Sequence, residues 1–254
     1  MRGSFFKLTV LTACSAIALG SVCFAQSAEL KPKLGVGAKV SSLGYGFEAA
    51  TAVTKNSNLR GGFNMFRHDE GLTRDGINFG TQLRLRSVEA HYDWFLGHGF
   101  RLSPGLLLYN GNRFEGTATV PGTRPFTIGG NTYYSSPSDP VNGPFKVTFG
   151  KSRVAPMITA GVGNLLRRSG RRFSVTVEGG VVFQGSPDAH LDLGGSVGPT
   201  PVGPFFNVTS SSQVQADLRA EEHKINTGAS PYDEGHSVVK YYPVISLGFG
   251  IRIK

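Results

Sequence analysis

Three titratable side chains near the middle of the chain have a spacing that could support acid–base chemistry. His91 lies two residues from Glu89 and two residues from Asp93. Residues two apart share one face of an extended strand, so the imidazole would have a carboxylate on each side, and a carboxylate can tune a histidine as a general base. A histidine beside carboxylates is, however, more often a satisfied hydrogen-bonding group than a catalyst.

The other histidines give weaker patterns. His68 precedes Asp69 and Glu70 at a predicted loop edge, and His236 precedes Ser237, but adjacent residues of a strand point to opposite faces. The remaining histidines are His98, His190 and His223. No complete constellation of nucleophile and base is recognised, so the sequence predicts no catalytic site, and it predicts no cofactor or metal.

A larger set of charged residues recurs opposite the apolar positions of the chain. It consists of Glu48, Arg60, Arg84, Arg86, Glu89, Asp93, Glu178 and Arg252. Including Glu89 and Asp93 requires a change of alternation near Ser87, which we interpret as a β-bulge. Such charges are costly against lipid, so they would face the centre of a barrel. In a barrel of about eight strands a packed lattice of arginine–carboxylate pairs is favoured over a narrow polar path or gate.

The elements that must position these residues are strands. The closing segment YYPVISLGFGIRIK (Tyr241 to Lys254) alternates large apolar residues with small or charged ones. Similar patterns predict strands from Lys33 to Ser41, Tyr45 to Val53, Asn58 to His68, Ile77 to Phe95, Phe100 to Ala118, Lys146 to Leu165, Phe173 to Leu193, and from Val238 onward. The longest unbroken alternations match the roughly 9–11 residues that cross a tilted bilayer. We therefore predict an all-β fold, a closed antiparallel up-and-down transmembrane β-barrel of about eight strands.

The connections between these strands alternate in length. Short turns follow the second, fourth and sixth strands, whereas DEGLTRDG, Val120 to Phe145 and Gly194 to Ser237 are longer and polar. Outer-membrane barrels have this asymmetry, with short periplasmic turns and longer outside loops. Only the turn Ser42 to Gly44 is short where a long loop is expected. The last long loop contains an amphipathic pattern over residues 213–225, with Ser212 as its cap, which predicts a short helix that covers the mouth, binds a partner or packs on the surface.

Aromatic residues flank the predicted strands at both ends. The set comprises Trp94, Phe95, Phe100 and Phe173 near the short turns, and Tyr109, Phe183 and Tyr241 toward the long loops. Two girdles of this kind mark the lipid interfaces of membrane barrels, although aromatic residues also favour strands in general.

The amino terminus predicts export. Residues 1–25 combine the basic Arg2 and Lys7 with an apolar stretch and a small residue, Ala25, after which we expect cleavage of a signal peptide. Residues 26–254 would then form one domain. Both cysteines lie within the signal, and its removal lowers the formal charge from +9 to +7. For an exported basic protein, outer-membrane lipid or lipopolysaccharide is a better expected partner than nucleic acid.

The signal, the alternating strands and the closing KYYPVISLGFGIRIK together resemble small bacterial outer-membrane β-barrels related to the transmembrane domain of outer membrane protein A. Stretches such as GFRLSPGLLLYNGN and VVFQGSPDAHLDL are similar to a group of such proteins in Gram-negative bacteria. The resemblance implies insertion by the outer-membrane assembly machinery, which reads a final strand that usually ends in an aromatic residue. Here Ile253 and Lys254 end the chain instead.

The resemblance and the residues together favour an integral outer-membrane protein with a structural or surface-interaction role. Two alternatives remain open at this point. Some outer-membrane barrels modify lipid A with a histidine near the outer leaflet, and others conduct small solutes. The sequence names no ligand, substrate or oligomeric state.

Overall fold

The computed structural model describes residues 34–97, 99–166, 172–227 and 240–253. The predicted signal peptide, His98 and His236 lie outside the described residues, as do residues 167–171, which belong to the basic segment RRSGRR between the sixth and seventh predicted strands. The strands are β1 (Leu34–Ser41), β2 (Gly44–Thr54), β3 (Ser57–Arg74), β4 (Ile77–Gly97), β5 (Phe100–Asn110), β6 (Arg113–Thr119), β7 (Pro125–Ile128), β8 (Asn131–Ser135), β9 (Asn142–Thr148), β10 (Ala155–Val162), β11 (Phe173–Phe183), β12 (Asp188–Leu191), β13 (Ser196–Gly198), β14 (Phe206–Asn207) and β15 (Tyr241–Arg252), and the helix is α1 (Ser212–Thr227).

Eight antiparallel strands form a closed ring in the order β1, β2, β3, β4, β5, β10, β11, β15. The last strand pairs with the first, from Gly35 opposite Arg252 to Ser41 opposite Ser246, and the pairing of β4 with β5 completes the circuit. Each ring strand is hydrogen-bonded on both sides, so the ring itself has no open edge. We call the end that carries the short connections after β2, β4 and β10 the lower end, and the opposite end the upper end.

The ring strands alternate between small or polar residues that face inward and larger apolar residues that face outward. On β2, Gly44, Gly46 and Glu48 are buried, whereas Tyr45 and Phe47 are exposed. A two-residue period therefore gives each strand one outer apolar face and one inner polar face, as the sequence predicts.

Above the ring, β3 and β4 continue together as a long hairpin. The lower half of β4 pairs with β5, and its upper half, from Asn78 to Arg84, pairs with β6. Strands β9 and β12 extend this sheet beyond β6, and a second, four-stranded sheet has the order β14, β13, β8, β7. We call these parts together the upper extension. Apart from the β3–β4 hairpin, it is built from the two long connections, between β5 and β10 and between β11 and β15.

Apolar residues cover the polar interior near the upper end of the ring. Leu43, in the turn between β1 and β2, is fully buried and packs in one cluster with Leu107, Met157, Val182 and Val244. The phenolic hydroxyl of Tyr242 donates to the carbonyl of Ser42 at 2.6 Å and connects this turn to β15. The turn from Ser42 to Gly44, which is short where a long loop was expected, thus belongs to an apolar cluster that covers the interior.

A second apolar cover lies near the lower end. Leu165 and Leu166, in the connection after β10, are buried and cluster with Ala50. A methyl group at Gly37 or Gly250 would overlap Leu165 Cδ1, so these two glycines make room for the leucine between β1 and β15. The polar interior therefore lies between two apolar clusters.

Helix α1 confirms the helix predicted in the last long loop, and it starts within one residue of the prediction. Its cap is Ser211, whose Oγ accepts from the amide of Val214 at 3.4 Å, in place of the expected Ser212. Val214 and Leu218 pack into the apolar core of the upper extension. In the described part of the chain no helix has the length and apolar character needed to span a membrane.

One predicted loop is wrong. The segment DEGLTRDG is strand as far as Arg74, and only Asp75 and Gly76 form a turn. Both residues have positive φ angles, of 52° and 75°, which is the requirement of a two-residue type I′ hairpin and the known preference of Asp-Gly. Two of the upper connections are therefore tight turns, and the remaining two are folded into sheet and helix.

Candidate functional site

The centre of the ring interior holds one arginine with three carboxylate partners. Arg60 Nη1 donates to Glu48 Oε2 at 3.0 Å, Nε donates to Asp93 Oδ2 at 3.1 Å, and Nη2 donates to Glu178 Oε2 at 2.8 Å. The Arg60 side chain is 1% exposed. The four residues come from β2, β3, β4 and β11, so the guanidinium joins strands on both sides of the ring.

Glu178 extends this network toward the remaining strands. It accepts from Arg101 Nη2 on β5 at 2.7 Å and from Ser246 Oγ on β15 at 3.1 Å. Thr159 on β10 contributes a longer hydrogen bond at 3.4 Å. Seven of the eight ring strands therefore meet through Arg60 and Glu178, since β2, β3, β4, β5, β10, β11 and β15 each supply a side chain.

A second polar cluster lies beside the first, toward the upper end. Lys39 Nζ donates to Glu89 Oε1, and Asn64 Nδ2 donates to Glu89 Oε2 at 3.0 Å. His91 Nε2 lies 3.3 Å from Glu89 Oε1 and is fully buried. The glutamate is thus held by β1, β3 and β4 together.

The two clusters together have nearly balanced charge. The buried acids are Glu48, Glu89, Asp93 and Glu178, and the buried permanent cations are Lys39, Arg60 and Arg101. A buried charge is tolerated only when it is paired and hydrogen-bonded, and each of these seven charged side chains lies within ion-pair distance of an opposite charge. Individual atoms such as Glu48 Oε1 and Arg101 Nε nevertheless have no hydrogen-bond partner among the residues that the structure describes. The arrangement can therefore hold a narrow ring together, and the apolar clusters above and below it separate His91 from either mouth.

The structure brings five of the predicted charged residues into the interior and leaves the others elsewhere. Glu48, Arg60, Glu89, Asp93 and Glu178 are buried together. Arg252 has the inward alternation of β15 but is half-buried at its lower end. Arg84 pairs with Glu115 of β6 in the upper extension, and Arg86 is exposed. Both arginines were predicted to lie in the interior cluster, and for both this prediction is wrong.

The reason for the two misplaced arginines is that β4 keeps one alternation throughout. Leu85, Ser87, Glu89, His91 and Asp93 are all buried on the same face. β4 pairs with β3 in unbroken register from Trp94 to Ile77, so the predicted slip near Ser87 is wrong for β4. A register shift does occur beside Val88, but the extra residue, Leu108, lies on β5. What changes near Ser87 is which face of β4 carries the charged residues, the inward face below Ser87 or the outward face above it.

The strand β4 reverses its polarity at this level. Within the ring its inward face carries charges such as Glu89 and Asp93, and its outward face carries apolar residues such as Val88. In the upper extension the inward face of β4 carries Leu85 and other apolar residues, whereas the exposed inward face of β3 mixes Phe66 and Leu72 with His68, Glu70 and Arg74. The outward face of both strands there carries charged residues. The outward charged set is Arg67, Asp69, Arg84 and Arg86, with Arg113 and Glu115 on β6.

Sequence reasoning missed two members of the network, Lys39 and Arg101. Each lies between exposed apolar or small neighbours on its strand, Lys39 next to Val40 and Arg101 next to Phe100. A strict two-residue alternation counted along β1 and β5 would have found both.

The predicted aromatic residues mostly lie on the outer face. Trp94, Phe100 and Phe173 are exposed at the lower end, and Phe183 and Tyr241 are exposed at the upper end and meet edge to face with ring centroids 6.1 Å apart. Tyr109 is half-buried and covers Gly111. Phe95 shares the inward alternation of Asp93 and is half-buried, so it differs from the outer-face position that an interface role requires.

The other described histidines do not form a second site. His68 and His190 are exposed beside Glu70 and Asp188, at 3.9 Å and 3.3 Å, and His223 is exposed on α1. Within the described ranges no group of histidine, cysteine, aspartate or glutamate side chains has the arrangement of a metal site.

A small polar network fixes α1 to the hairpin of β7 and β8. Tyr133 Oη donates to Asp217 Oδ2 at 2.5 Å, and Asn131 Nδ2 donates to the same oxygen at 2.8 Å. These hydrogen bonds, that of Tyr133 first, lower the pKa of Asp217. Burial, and then the neighbouring carboxylate, raise the pKa of Tyr133 to about 12.

The same helix also covers an open sheet edge. β12 is the last strand of the larger sheet. The amide of Ala189 donates to Asn226 Oδ1 at 2.7 Å, and the amide of Leu191 donates to Glu222 Oε1 at 2.7 Å. Side chains of α1 thus occupy positions where another strand could pair.

Comparison with known proteins identifies the fold. No family model matches the sequence, and no curated protein matches it significantly. Among solved structures, Acinetobacter baumannii CarO is 19% identical with a TM-score of 0.54, and the match covers 89% of this chain and 100% of that one. A. baumannii CarO2 is 17% identical with a TM-score of 0.54, and the match covers 87% of this chain and 98% of that one. Ail of Yersinia pestis is 10% identical with a TM-score of only 0.34, and the match covers 87% of this chain and 97% of that one. The chain has the fold of bacterial outer-membrane β-barrel proteins.

Proposed function

From this shared fold, we propose that the protein is an integral β-barrel of a Gram-negative outer membrane, with a side-chain-filled interior and an upper extension displayed outside the cell. Its role is structural or one of surface interaction. The predicted signal peptide supports export, and a ring with both termini at its lower end supports placement of those termini in the periplasm.

The polarity reversal along β4 is the observation that carries the proposal. This continuous strand, which keeps one register with β3, has apolar residues outside and charges inside in the ring, and the opposite arrangement in the extension. A soluble sheet would keep its apolar face toward the core along its whole length. A change of surroundings from hydrocarbon to water, near Val88 and Arg86, accounts for the reversal.

The closing strand gives further support. Ile245 and Phe249 on its outward face are 69% and 59% exposed, whereas Ser246 and Gly248 face inward. Exposed apolar side chains on consecutive ring strands form a continuous band, which a soluble monomer rarely shows. The same strand is the element that the outer-membrane assembly machinery would read, and we include that machinery among the proposed partners.

The closed interior argues against the two alternatives. Apolar clusters around Leu43 and Leu165 lie on either side of the ion pairs, which disfavours a conducting pore. His91 lies between the same clusters, and no nucleophile is hydrogen-bonded to it among the described residues, which disfavours catalysis at this histidine.

Heat-modifiable migration tests the proposal. Protein extracted from outer-membrane fractions with detergent should migrate differently on a denaturing gel before and after boiling, because a closed barrel resists the detergent at room temperature. The same preparation in planar bilayers should show no steady single-channel conductance. Recovery of the mature protein in the soluble periplasmic fraction without detergent would refute membrane insertion, and steady conductance would refute the closed interior.

A further inference from the structure

The outward face of the ring changes from apolar to basic at one place. Along β4 the outward residues are Tyr92, Ala90 and Val88, followed by Arg86 and Arg84. On β3 the same change occurs between Met65 and Arg67, and these residues pair with Arg86 and Arg84 respectively. Arg113 of β6 pairs with Arg84, and Lys146 of β9 lies one row above. We call Arg67, Arg84, Arg86, Arg113 and Lys146 the arginine patch.

The patch concentrates basic side chains on β3, β4, β6 and β9. On three other ring strands the uppermost outward residues are aromatic and exposed, namely Tyr45 on β2, Phe183 on β11 and Tyr241 on β15. Basic residues also lie beside the upper ends of β10 and β15, namely Lys151, Arg153 and Lys240, but they do not occupy paired rows as those of the patch do. The paired rows on one side of the ring point to a partner that sits on that side.

The arginines of the patch retain donors for an external anion. Arg67 contacts Asp69 through Nε at 3.0 Å, and Arg113 contacts Glu115 through Nε at 2.7 Å. Arg84 also approaches Glu115 through Nε. A guanidinium has two terminal nitrogens besides Nε, and paired donors of this kind suit the oxygens of a phosphate. Arg86 is exposed and has no side-chain partner within the described part of the chain.

A groove of about 700 Å³ adjoins the patch, and its lining is mainly apolar surface with polar side chains around it. Gly71 and Gly80 are paired across β3 and β4 in its floor, and a side chain at Gly71 would meet open space. The polar side chains of the lining include Asp69, Glu70, Gln82, Glu115 and Lys146. Carboxylate, amide and ammonium groups around a shallow floor provide donors and acceptors for sugar hydroxyls.

We propose that the arginine patch binds the phosphate groups of a lipopolysaccharide molecule in the outer leaflet, with its sugars over the groove and its acyl chains along the outward face of β3 and β4. The basic residues begin directly above the apolar band, which is the level of lipid phosphates in a membrane that ends near Val88. The five basic residues face only Asp69, Glu115 and Asp188 as acids on the same outward rows, so the surface keeps a positive balance. This inference rests on the proposed function, because the patch meets a lipid phosphate only if the ring is inserted.

The test compares lipid binding by purified, folded protein in detergent, measured by native mass spectrometry as a titration. The probes are diphosphoryl lipid A, lipid A without phosphates, phosphatidylglycerol and inorganic phosphate. The double variant Arg84→Gln/Arg86→Gln should bind diphosphoryl lipid A roughly 30-fold more weakly, since each basic residue near an anionic surface contributes about fivefold. The variant Arg124→Gln/Arg219→Gln removes two charges from exposed positions elsewhere in the upper extension and should bind like the natural protein.

Each outcome has a defined meaning. Weaker binding in the patch variant, together with weak binding of the dephosphorylated lipid and of phosphatidylglycerol, supports the proposal. Equal binding by the patch variant and the control variant overturns it, and so does competition by inorganic phosphate at concentrations comparable to the lipid. Heat-modifiable migration of both variants keeps a failure of the patch separate from a failure of the barrel. If the double variant does not fold, Arg86→Gln alone should still weaken binding about fivefold, and an unchanged affinity would refute the proposal.

Discussion

Arg60 Nη2 donates to Glu178 Oε2 at 2.8 Å and joins β3 to β11 across the interior of the ring. Four ring positions separate these strands in either direction around the circuit, so the contact spans the full width of the lumen. The same guanidinium contacts Glu48 and Asp93, and its loss would leave three buried carboxylates without their shared cation.

Arg60→Gln should therefore destabilise the folded protein by about 3–5 kcal/mol, because it removes one partner from a buried charge network. Urea unfolding in lipid vesicles, followed by tryptophan fluorescence of Trp94, measures the change. The matched control is Arg67→Gln, which breaks an exposed pair with Asp69 and should cost less than about 1 kcal/mol. Equal effects of the two variants would show that the interior pairs are solvated.

A charged residue placed on the outward face of the ring at mid-height should destabilise the folded protein. Ala49 lies in the middle of β2 on the outward face, and Ala49→Arg should cost about 2–4 kcal/mol if this level is the membrane midplane. Thr117→Arg places the same side chain on the outward face of the upper extension, where water surrounds it, and should be nearly neutral. Unfolding in vesicles compares the two. A neutral Ala49→Arg would place the ring outside the hydrocarbon.

Sequence periodicity determined the ring well and the extension poorly. β15 was predictable because its alternation is unbroken, and Glu48 and Arg60 were predictable as inward residues for the same reason. Arg84 and Arg86 were not, because periodicity shows which residues share a face but not which solvent that face meets. The apolar face of β4 is outward in the ring and inward above it, so a rule derived from one half fails in the other.

The strand pairings within the upper extension also could not be predicted from the sequence. β6, β9 and β12 are four to seven residues long and pair across distant parts of the chain, so their alternation is too short to be distinctive. Helix α1 was recognisable from its own 3.6-residue period, but its contacts with Tyr133 and with the edge of β12 depend on tertiary packing.

Tyr133 should titrate near pH 12 in the folded protein, as its raised pKa requires. Ultraviolet difference titration between the natural protein and Tyr133→Phe isolates its signal, and Asp217→Asn should move the midpoint toward the usual value of about 10. Because the folded pKa exceeds the unfolded one, the stabilisation is present below pH 10 and is lost as the pH rises toward 12. The lowered pKa of Asp217 acts in the opposite sense, since its contribution is lost as the pH falls below the ordinary range of a carboxyl group. An unshifted tyrosine midpoint in the natural protein would contradict this account.

The cover of the β12 edge should protect two amides. Glu222→Ala/Asn226→Ala removes the acceptors of Leu191 and Ala189, and hydrogen exchange of these two amides should accelerate by roughly fivefold each, as expected for losing about 1 kcal/mol per hydrogen bond. His223→Ala changes an exposed residue of the same helix and should leave the rate unchanged. Unchanged exchange in the double variant would mean that α1 does not shield the edge.

The shared use of Glu178 also bears on how the protein enters its membrane. Its carboxylate is held by Arg60, Arg101 and Ser246, which arrive on β3, β5 and β15. Until the last strand reaches the first, a partly inserted chain has an incomplete set of counter-charges along its seam. Water or the insertion apparatus must therefore solvate that seam during biogenesis, and dehydration of the lumen has to coincide with strand closure.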